Sequence, residues 1–484
     1  MMVDGFNNRI VTATKWSTIA ETMAKLVAPL SSMVLARILT PEAFGVVATV
    51  NMVIAFAEIF TDAGFQRYLI QHDFEDEIEK DEATNVAFWS NLAMSFVIWG
   101  GIAVFSEPLA RLVGNPGLGN VLVFSCISIP LAAFSSIQMA LFKRNLDFKT
   151  LFWRRLAIIL VPLCVTVPLA FLLRSYWALV IGTIVTNFIN ALLLTIKSQW
   201  HPRRFYSFER LKEMFSFCSW SIIDSVLVWA TAYIDIFFIG RALDAYYLGV
   251  YKTSITTVGQ FTSLITSSII PVVMPAISRL QNNITEMRQT LLKFQKYTSV
   301  MLLPLGVGIF MFRGFVTTVM LGSQWTDATL FIGIWALMEV ITVIFARFCS
   351  NVYPAIGRPG ISVVVQVLHL IVLVPAVIIS GRYGFKPLYI TRSLVRLEGV
   401  LVNLLFIFFL IKLSPWKMFV NIFPELSASL LMALLAYILL SIDDSIGLSV
   451  VWICICAIFY FLLLRLSPED KKILGKLKTS ICHR

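Results

Sequence analysis

The sequence predicts an all-α polytopic membrane protein of about fourteen transmembrane helices. Its 484 residues are 58% hydrophobic and only 14% charged, which leaves too little polar surface to cover a soluble globule of that size. Apolar runs of about 20 residues, long enough to cross a bilayer as helix, recur along almost the whole chain. The alternating ten-residue strands of an outer-membrane barrel are absent. A segment near the amino terminus also recurs, without a gap, 204 residues later.

Polar and helix-breaking residues punctuate the apolar runs. Span one (16–37) opens at Trp16 and closes at Arg37, and span two (43–66) follows Pro41-Glu42 and runs into Arg67. After an acidic segment, span three (85–106) reaches Glu107; span four (120–142) lies between the Gly114–Gly119 turn and Lys143-Arg144. Spans five (154–173) and six (176–197) flank Arg174-Ser175. The polar stretch from His201 to Lys212 precedes spans seven (215–240) and eight (246–275), which meet at Leu243-Asp244. A charged link, Arg279 to Lys296, leads to span nine (297–316) and then to span ten (328–350). Span eleven (360–380) follows Gly357-Arg358-Pro359, span twelve (387–411) ends at Lys412, and the last pair (423–441, 447–465) brackets Asp443-Asp444. Span one follows Arg9 and Lys15, is too long for a signal-peptide core and lacks a small-x-small exit, so no cleavable signal is expected.

The repeat aligns Trp16-Ser17 with Trp220-Ser221, Arg37 with Arg241, Leu39 with Leu243 and Gly45-Val46 with Gly249-Val250, within nine identities over residues 15–50. Each half thus carries the same hairpin, the plan of a transporter built from parallel repeats with its site between them. The expected division is an N-lobe of spans one to six (1–204), a C-lobe of spans seven to twelve (205–415), and a final hairpin with a basic tail (416–484).

Charge placement orients the spans. With a cytoplasmic amino terminus, roughly 28 of the 39 basic residues fall in cytoplasmic segments and about six in external loops. An even span number returns the basic tail to the cytoplasm, and the asymmetry accounts for the net charge of +11 without nucleic acid. Asp73, Glu75, Asp76, Glu77, Glu79, Asp81 and Glu82 crowd one such link, which reads most simply as a solvated connection. Seven cysteines, most of them inside apolar spans, form no disulfide framework. No Walker loop, HExxH, nucleophile elbow or dinucleotide fingerprint occurs, and four scattered histidines argue for no metal. Membrane enzymes of glycan assembly usually carry a large external loop, whereas every external loop expected here is short.

An ionisable side chain inside a span costs about 2.5–3.5 kcal/mol on insertion scales, so it faces a cavity or a partner. Glu21 and Lys25 lie one turn apart in span one, and either pair or leave Lys25 to a cavity. Pro29 cannot donate to the Lys25 carbonyl, which makes it a candidate hinge. Asp224 and Asp235 share a face of span seven; pairing with Lys252 of span eight and binding of a coupling cation are the open readings. Glu58 and Asp62 share a face of span two, span ten holds Glu339 and Arg347, and span twelve holds Arg392, Arg396 and Glu398. Arg37 and Arg241, the repeated arginines, fit either snorkelling anchors or a shared gate. Basic residues within spans of both halves suit an anionic substrate.

Several segments together resemble the Wzx/WzxC-type polysaccharide flippases. They are ARILTPEAFGVVATVNMVIAFAEIFTDAGF (36–65), LFKRNLDFKTLFWRR (141–155) and SFCSWSIIDSVLVWATAYIDIFFIGRALDAYYLGVYKTS (216–254). IIPVVMPAISRLQNN (269–283), LGSQWTDA (321–328) and AIGRPG (355–360) follow in order, and the likeness runs colinearly from about residue 5 to 410. The resemblance implies the multidrug/oligosaccharidyl-lipid/polysaccharide exporter superfamily, with two six-helix lobes in a V around a central cavity. It implies a bacterial inner-membrane flippase, not an enzyme, that moves undecaprenyl-pyrophosphate-linked oligosaccharide from the cytoplasmic to the periplasmic leaflet by alternating access. The product would feed O-antigen, capsule or exopolysaccharide synthesis. On helix position, Lys25, Lys252, Arg347 and Arg396 are the candidate cationic cavity residues, with Asp224 and Asp235 for ion coupling. No cofactor is expected beyond a coupling Na+ or H+. The expected partners are the lipid-linked oligosaccharide, membrane lipids and polysaccharide polymerase or assembly proteins, and a monomer is expected. Rival readings are a Na+/H+-coupled multidrug exporter of the same superfamily, a lipid II flippase, a membrane glycan-assembly enzyme and a scaffold without transport.

Overall fold

Inside hydrocarbon each backbone N–H and C=O must be satisfied within its own segment, so apolar runs of this length form helices. The computed structural model describes residues 16, 21, 23–25, 27–62 and 64–466, apart from the side chains of 216–221, 224 and 271. Among them there is no strand. Residues 27–38 are helical (α1); the rest of span one, Arg9, Lys15 and the basic tail lie outside the described residues or only partly within them. The following spans are α2 (Pro41–Asp62), α3 (Glu77–Val104), α4 (Gly119–Arg144), α5 (Phe148–Leu173) and α6 (Trp177–Lys197). Next come α7 (Phe208–Ala242), α8 (Ala245–Ser278) and α9 (Ile284–Met311). The series ends with α10 (Ala328–Ala355), α11 (Gly360–Gly381), α12 (Phe385–Ile411), α13 (Phe423–Ile442) and α14 (Ile446–Leu464).

Twelve described helices are long and apolar enough to cross a membrane, and thirteen if α9 and the short helix Arg313–Met320, bent by 85° from it, form one span. These thirteen correspond one for one to spans two to fourteen. The all-α polytopic class is therefore as the sequence predicts. The last hairpin is regular: α13 and α14 pack through Ala428, Met432, Ala436, Cys456 and Tyr460 onto Val300 and Val307 of α9, and the Tyr460 hydroxyl donates to the Val300 carbonyl at 2.9 Å.

The chain falls into two compact units that divide between Lys252 and Thr253. The repeat divides it instead at 204/205, and the difference is α7, which packs on α2 within the first unit, together with the first two turns of α8. In that unit α4 packs against both α3 and α6; in the second, α10 packs against α9 and α12, and α11 against α12.

The repeated glycines of the first unit meet each other. A Cβ added to Gly45 would stand 1.8 Å from the carbonyl oxygen of Ala245, and one added to Gly249 would stand 1.8 Å from that of Pro41. Ala245 is the repeat equivalent of Pro41, so α2 and α8 cross through equivalent positions. Small residues allow backbones to approach this closely in a membrane, where packing rather than the hydrophobic effect holds helices together. Gly114 (φ 82°) closes on the backbone of Gly240 in α7, where a Cβ would stand 1.9 Å from its carbonyl oxygen, and Asn115 donates to the Thr49 hydroxyl of α2 at 3.0 Å. On the same α3–α4 link, the Gly117 N–H donates to Glu107 at 3.0 Å and holds its carboxyl below the usual glutamate range. Any stability this bond adds is present above the ordinary glutamate pKa and is lost as pH falls through the lowered one.

The acidic link is only partly the solvated connection expected from the sequence: Asp73, Glu75, Asp76 and Glu77 are exposed, while Glu79, Asp81 and Glu82 are half-buried. Asp76 caps α3 by accepting from the Glu79 N–H, and Glu79 reaches back to accept from the N–H of Glu75, the residue before the cap, both at 2.7 Å. Asp81 accepts from the Trp200 indole N–H at 2.9 Å and from Arg203 at 3.2 Å. Asn85 accepts from the Arg203 N–H at 2.6 Å, and Trp89 donates back to the Arg203 carbonyl at 2.8 Å. Arg210 pairs with Glu79 at 3.1 Å and Glu82 at 3.7 Å; its bond to Glu213, with these two carboxylates, raises its pKa and fixes its charge. The carboxylates thus fasten the α6–α7 connection to the first turns of α3. Asp81→Ala is expected to lower stability by about 1 kcal/mol, mostly through the Trp200 bond, because the Arg203 pair is solvent-exposed. Asp81→Asn, which keeps an acceptor for the indole, should lose less; thermal unfolding in micelles measures both.

Candidate functional site

In the second unit the predicted arginines of α10 and α12 converge on one carboxylate. Arg347 donates to Glu339 Oε1 at 3.1 Å and Arg396 binds Glu339 Oε2. Eight residues separate Glu339 from Arg347, which in a regular α-helix would turn them about 80° apart. The wide turn Val343–Arg347 inserts one residue and so returns Arg347 to the Glu339 face, a local device found at functional sites. Arg396 also donates to the Thr342 hydroxyl at 3.2 Å, and its guanidinium lies over the Trp335 ring at 4.4 Å. Arg392 faces the same ring at 5.4 Å. Glu339 and Arg392 are each 7% exposed, whereas Arg347 remains accessible. His369 of α11 bonds Glu398 at 2.8 Å. Arg347 and Arg396 thus share the Glu339 carboxylate, and Arg392 lies against the same Trp335 ring.

In the first unit Lys25 pairs with Glu21 at 3.8 Å, and Arg155 of α5 takes the other oxygen of Glu21 at 2.6 Å. Of the two readings open for Lys25, the geometry contains the ion pair. Pro29 sits within helical residues 27–38. Arg37 and Arg241 are both exposed at the ends of their helices, the position of a snorkelling anchor. The Asp224 side chain lies outside the described residues. Asp235 is 2% exposed and accepts from the Tyr251 hydroxyl of α8 at 2.6 Å. Lys252, beside Tyr251 in sequence, places its ammonium 5.2 Å from the Tyr233 ring. Arg347 and Arg396 are thus brought together, Lys252 and Asp235 share the α7–α8 hairpin, and Lys25 stands with α1 and α5.

Tyr251→Phe removes the donor to a buried carboxylate and is expected to lower stability by about 1.5–3 kcal/mol. Asp235→Asn keeps an acceptor for that hydroxyl. Its expected loss is smaller, and thermal unfolding in micelles measures both variants.

A second polar space lies wholly within the first unit, a cavity of about 380 Å³ lined by Glu58, Asp62, Arg67, Asn91, Arg154 and Asn190. Arg154 donates to Asn190 Oδ1 at 2.5 Å, and Asn190 donates on to Ser135 at 3.1 Å. Sequence reasoning placed Glu58 and Asp62 on one face but missed their surroundings on α3, α5 and α6. It also missed Trp335, although that residue lies one helical turn before Glu339. An aromatic placed i, i+4 from an intramembrane carboxylate was the available signal.

Comparison with known proteins gives the following likenesses. A family model described as "Polysaccharide biosynthesis protein" matches residues 34–330. The succinoglycan biosynthesis transport protein ExoT of Rhizobium meliloti (strain 1021) is 26% identical over 371 residues, 76% of this chain and 73% of that protein. The lipopolysaccharide biosynthesis protein WzxC of Escherichia coli (strain K12) is 20% identical over 380 residues, 77% of this chain and 75% of that protein. Among solved structures, the lipid II flippase MurJ in an inward closed conformation superposes with a TM-score of 0.74 at 16% identity, covering 93% of this chain and 98% of that one. An inward-facing multidrug resistance MATE family transporter gives 0.63 at 13% identity, covering 80% and 94%. At these identities the two structures speak for the fold alone.

Proposed function

The chain belongs to the polysaccharide biosynthesis protein family, and from that premise we propose that it is a flippase for a lipid-linked oligosaccharide. The substrate in this reading is an undecaprenyl-pyrophosphate-linked repeat unit, carried from the cytoplasmic to the periplasmic leaflet of a bacterial inner membrane by alternating access. The observation that carries the reading is the intramembrane cluster in which Arg347 and Arg396 share Glu339 while Arg392 and Arg396 face Trp335. Guanidinium charge inside spans is expensive unless it meets an anion, and guanidinium forks match phosphate geometry. A diphosphate and a string of hydroxyls cannot cross hydrocarbon unaided, because desolvation alone costs several kcal/mol. A polar path open to one side at a time removes that barrier while the polyprenyl tail stays in lipid.

Within the same proposal both termini are cytoplasmic, the chain catalyses no covalent step, and a Na+ or H+ gradient biases the direction, with Asp224 and Asp235 as the coupling candidates. A polymerase or assembly protein takes the delivered unit. Lys25 and Lys252 are further contacts to the anion, and Pro29, Arg37 and Arg241 serve the hinge and gate. The lobes of the reading are 1–204 and 205–415, followed by the hairpin and tail of 416–484.

The test is to delete the gene in its host, extract the polyprenyl-linked oligosaccharides and assay surface polysaccharide. Complete repeat units held in the cytoplasmic leaflet, with surface polymer lost, are expected. Accumulation in the periplasmic leaflet would instead assign a step after translocation. Unchanged glycolipid and polymer with new sensitivity to cationic drugs would make the chain a multidrug exporter, and arrested peptidoglycan synthesis would make lipid II the substrate.

A further inference from the structure

Four aromatic rings of the first unit stand in a continuous row that ends on a cation. Phe60 and Phe56, one turn apart on α2, have centroids 5.2 Å apart. Phe56 lies 4.7 Å from Trp229 of α7, and Trp229 stacks on Tyr233 at 6.1 Å with an interplanar angle of 22°. The Lys252 ammonium of α8 then sits 5.2 Å from the centre of the Tyr233 ring. The row begins two residues from the Asp62 end of α2 and finishes two turns inside the Ala245 end of α8. By the topology that the basic loops assign, it climbs from the cytoplasmic side toward the external side. We propose that this row is a track for the sugar rings of the translocated lipid-linked saccharide. The inference rests on the flippase reading and adds to it the surface along which the glycan moves.

The chemistry of the row favours a carbohydrate over an acyl chain. A pyranose presents C–H bonds on one face and hydroxyls at its rim, so an aromatic face takes up the apolar face without stripping water from the hydroxyls. Each contact is weak and tolerant of sugar identity, which suits a path along which a substrate must be released as readily as it is held. The Trp229 indole is fixed in place, since its N–H donates to the Met52 carbonyl of α2 at 3.1 Å. Phe56 and Phe60 are 41% and 37% exposed, so their faces are available.

The discriminating variant is Phe56→Leu with Phe60→Leu. Leucine is as compatible with lipid tails as phenylalanine, but it offers no ring to a sugar, and neither position carries a side-chain hydrogen bond to lose. The full-length protein in nanodiscs is titrated with two probes, the host's polyprenyl-pyrophosphate glycan and bare undecaprenyl pyrophosphate. The wild type is expected to bind the glycan-bearing lipid about tenfold more tightly than the bare carrier. The double variant is expected to lose most of that margin, a fall of about five- to tenfold, with the bare carrier bound as before. Trp229→Phe, which keeps a ring and gives up only the bond to Met52, should retain the preference. A double variant that keeps the wild-type margin, or that loses both probes equally, overturns the track while leaving the flippase reading intact. A wild type that binds neither probe overturns the flippase reading and the track with it.

Discussion

Glu339→Ala is expected to lower folded-state stability by about 3–5 kcal/mol, the scale of removing one partner from a buried ion pair. The reason is the arithmetic of charge at the α10–α12 contact. Glu339 takes Arg347 on one carboxylate oxygen and Arg396 on the other, so its loss takes a partner from two guanidinium groups at once. They are not equally exposed to the damage. Arg347 is 42% exposed and can turn to water, whereas Arg396, 13% exposed and held against Trp335 and Thr342, cannot. Most of the penalty therefore belongs to Arg396, and Arg396→Met placed on Glu339→Ala should recover part of it, because removing both members of a buried pair is far milder than removing one. Glu339→Gln, which keeps two bonding groups without the charge, should fall between. Thermal unfolding in micelles and membrane abundance measure the series. If Glu339→Ala unfolds at the wild-type temperature while export stops, the carboxylate is part of the transport chemistry and not the counter-ion of the cluster.

The sequence made the spans legible because hydropathy reports what lipid demands of each segment separately. Spans two to fourteen each needed only an apolar run and a polar stop. Contacts between segments were less accessible. Asp81 reads as solvated until Trp200 and Arg203, more than a hundred residues away, are brought against it. Arg347 and Arg396 stood out as charges within spans, yet nothing in the local pattern announces the wide turn that swings Arg347 back to Glu339. The 85° break after Met311 was likewise missed, since span nine reads as a continuous apolar run through Phe312. The exception is the internal repeat, which compares two distant segments directly. It singled out Gly45 and Gly249, and these are the residues through which α2 and α8 touch.

That crossing carries the second large effect. Gly45→Ala and Gly249→Ala each place a methyl group 1.8 Å from a carbonyl oxygen of the opposite helix. The obstruction is backbone, not a side chain that changes rotamer, so the helices must separate. A loss of about 3 kcal/mol or more is expected for each, at or beyond the upper end of overpacking penalties. The symmetry of the contact makes a sharper prediction. Both substitutions force apart the same two backbones, so once one has opened the crossing the other meets less resistance. The double variant should therefore cost clearly less than the sum of the singles, with a coupling of about 1–3 kcal/mol. Gly117→Ala is a useful contrast, because Gly117, unlike the two crossing glycines, has a positive φ of 85° and has no neighbour within 4 Å of the added Cβ. It should show only the local strain of that backbone, roughly 1–2 kcal/mol. Unfolding midpoints of the four proteins, with labelling of a cysteine introduced at Thr49, separate two consequences of opening the crossing. Faster labelling from the Gly114–Gly119 side at an unchanged midpoint would mean that the substitutions favour a second folded state in which α2 and α8 part. A lowered midpoint with unchanged labelling below it would make the glycine contact a fixed fastening of the first unit. Strict additivity of the two alanines would remove the shared crossing as the source of either effect.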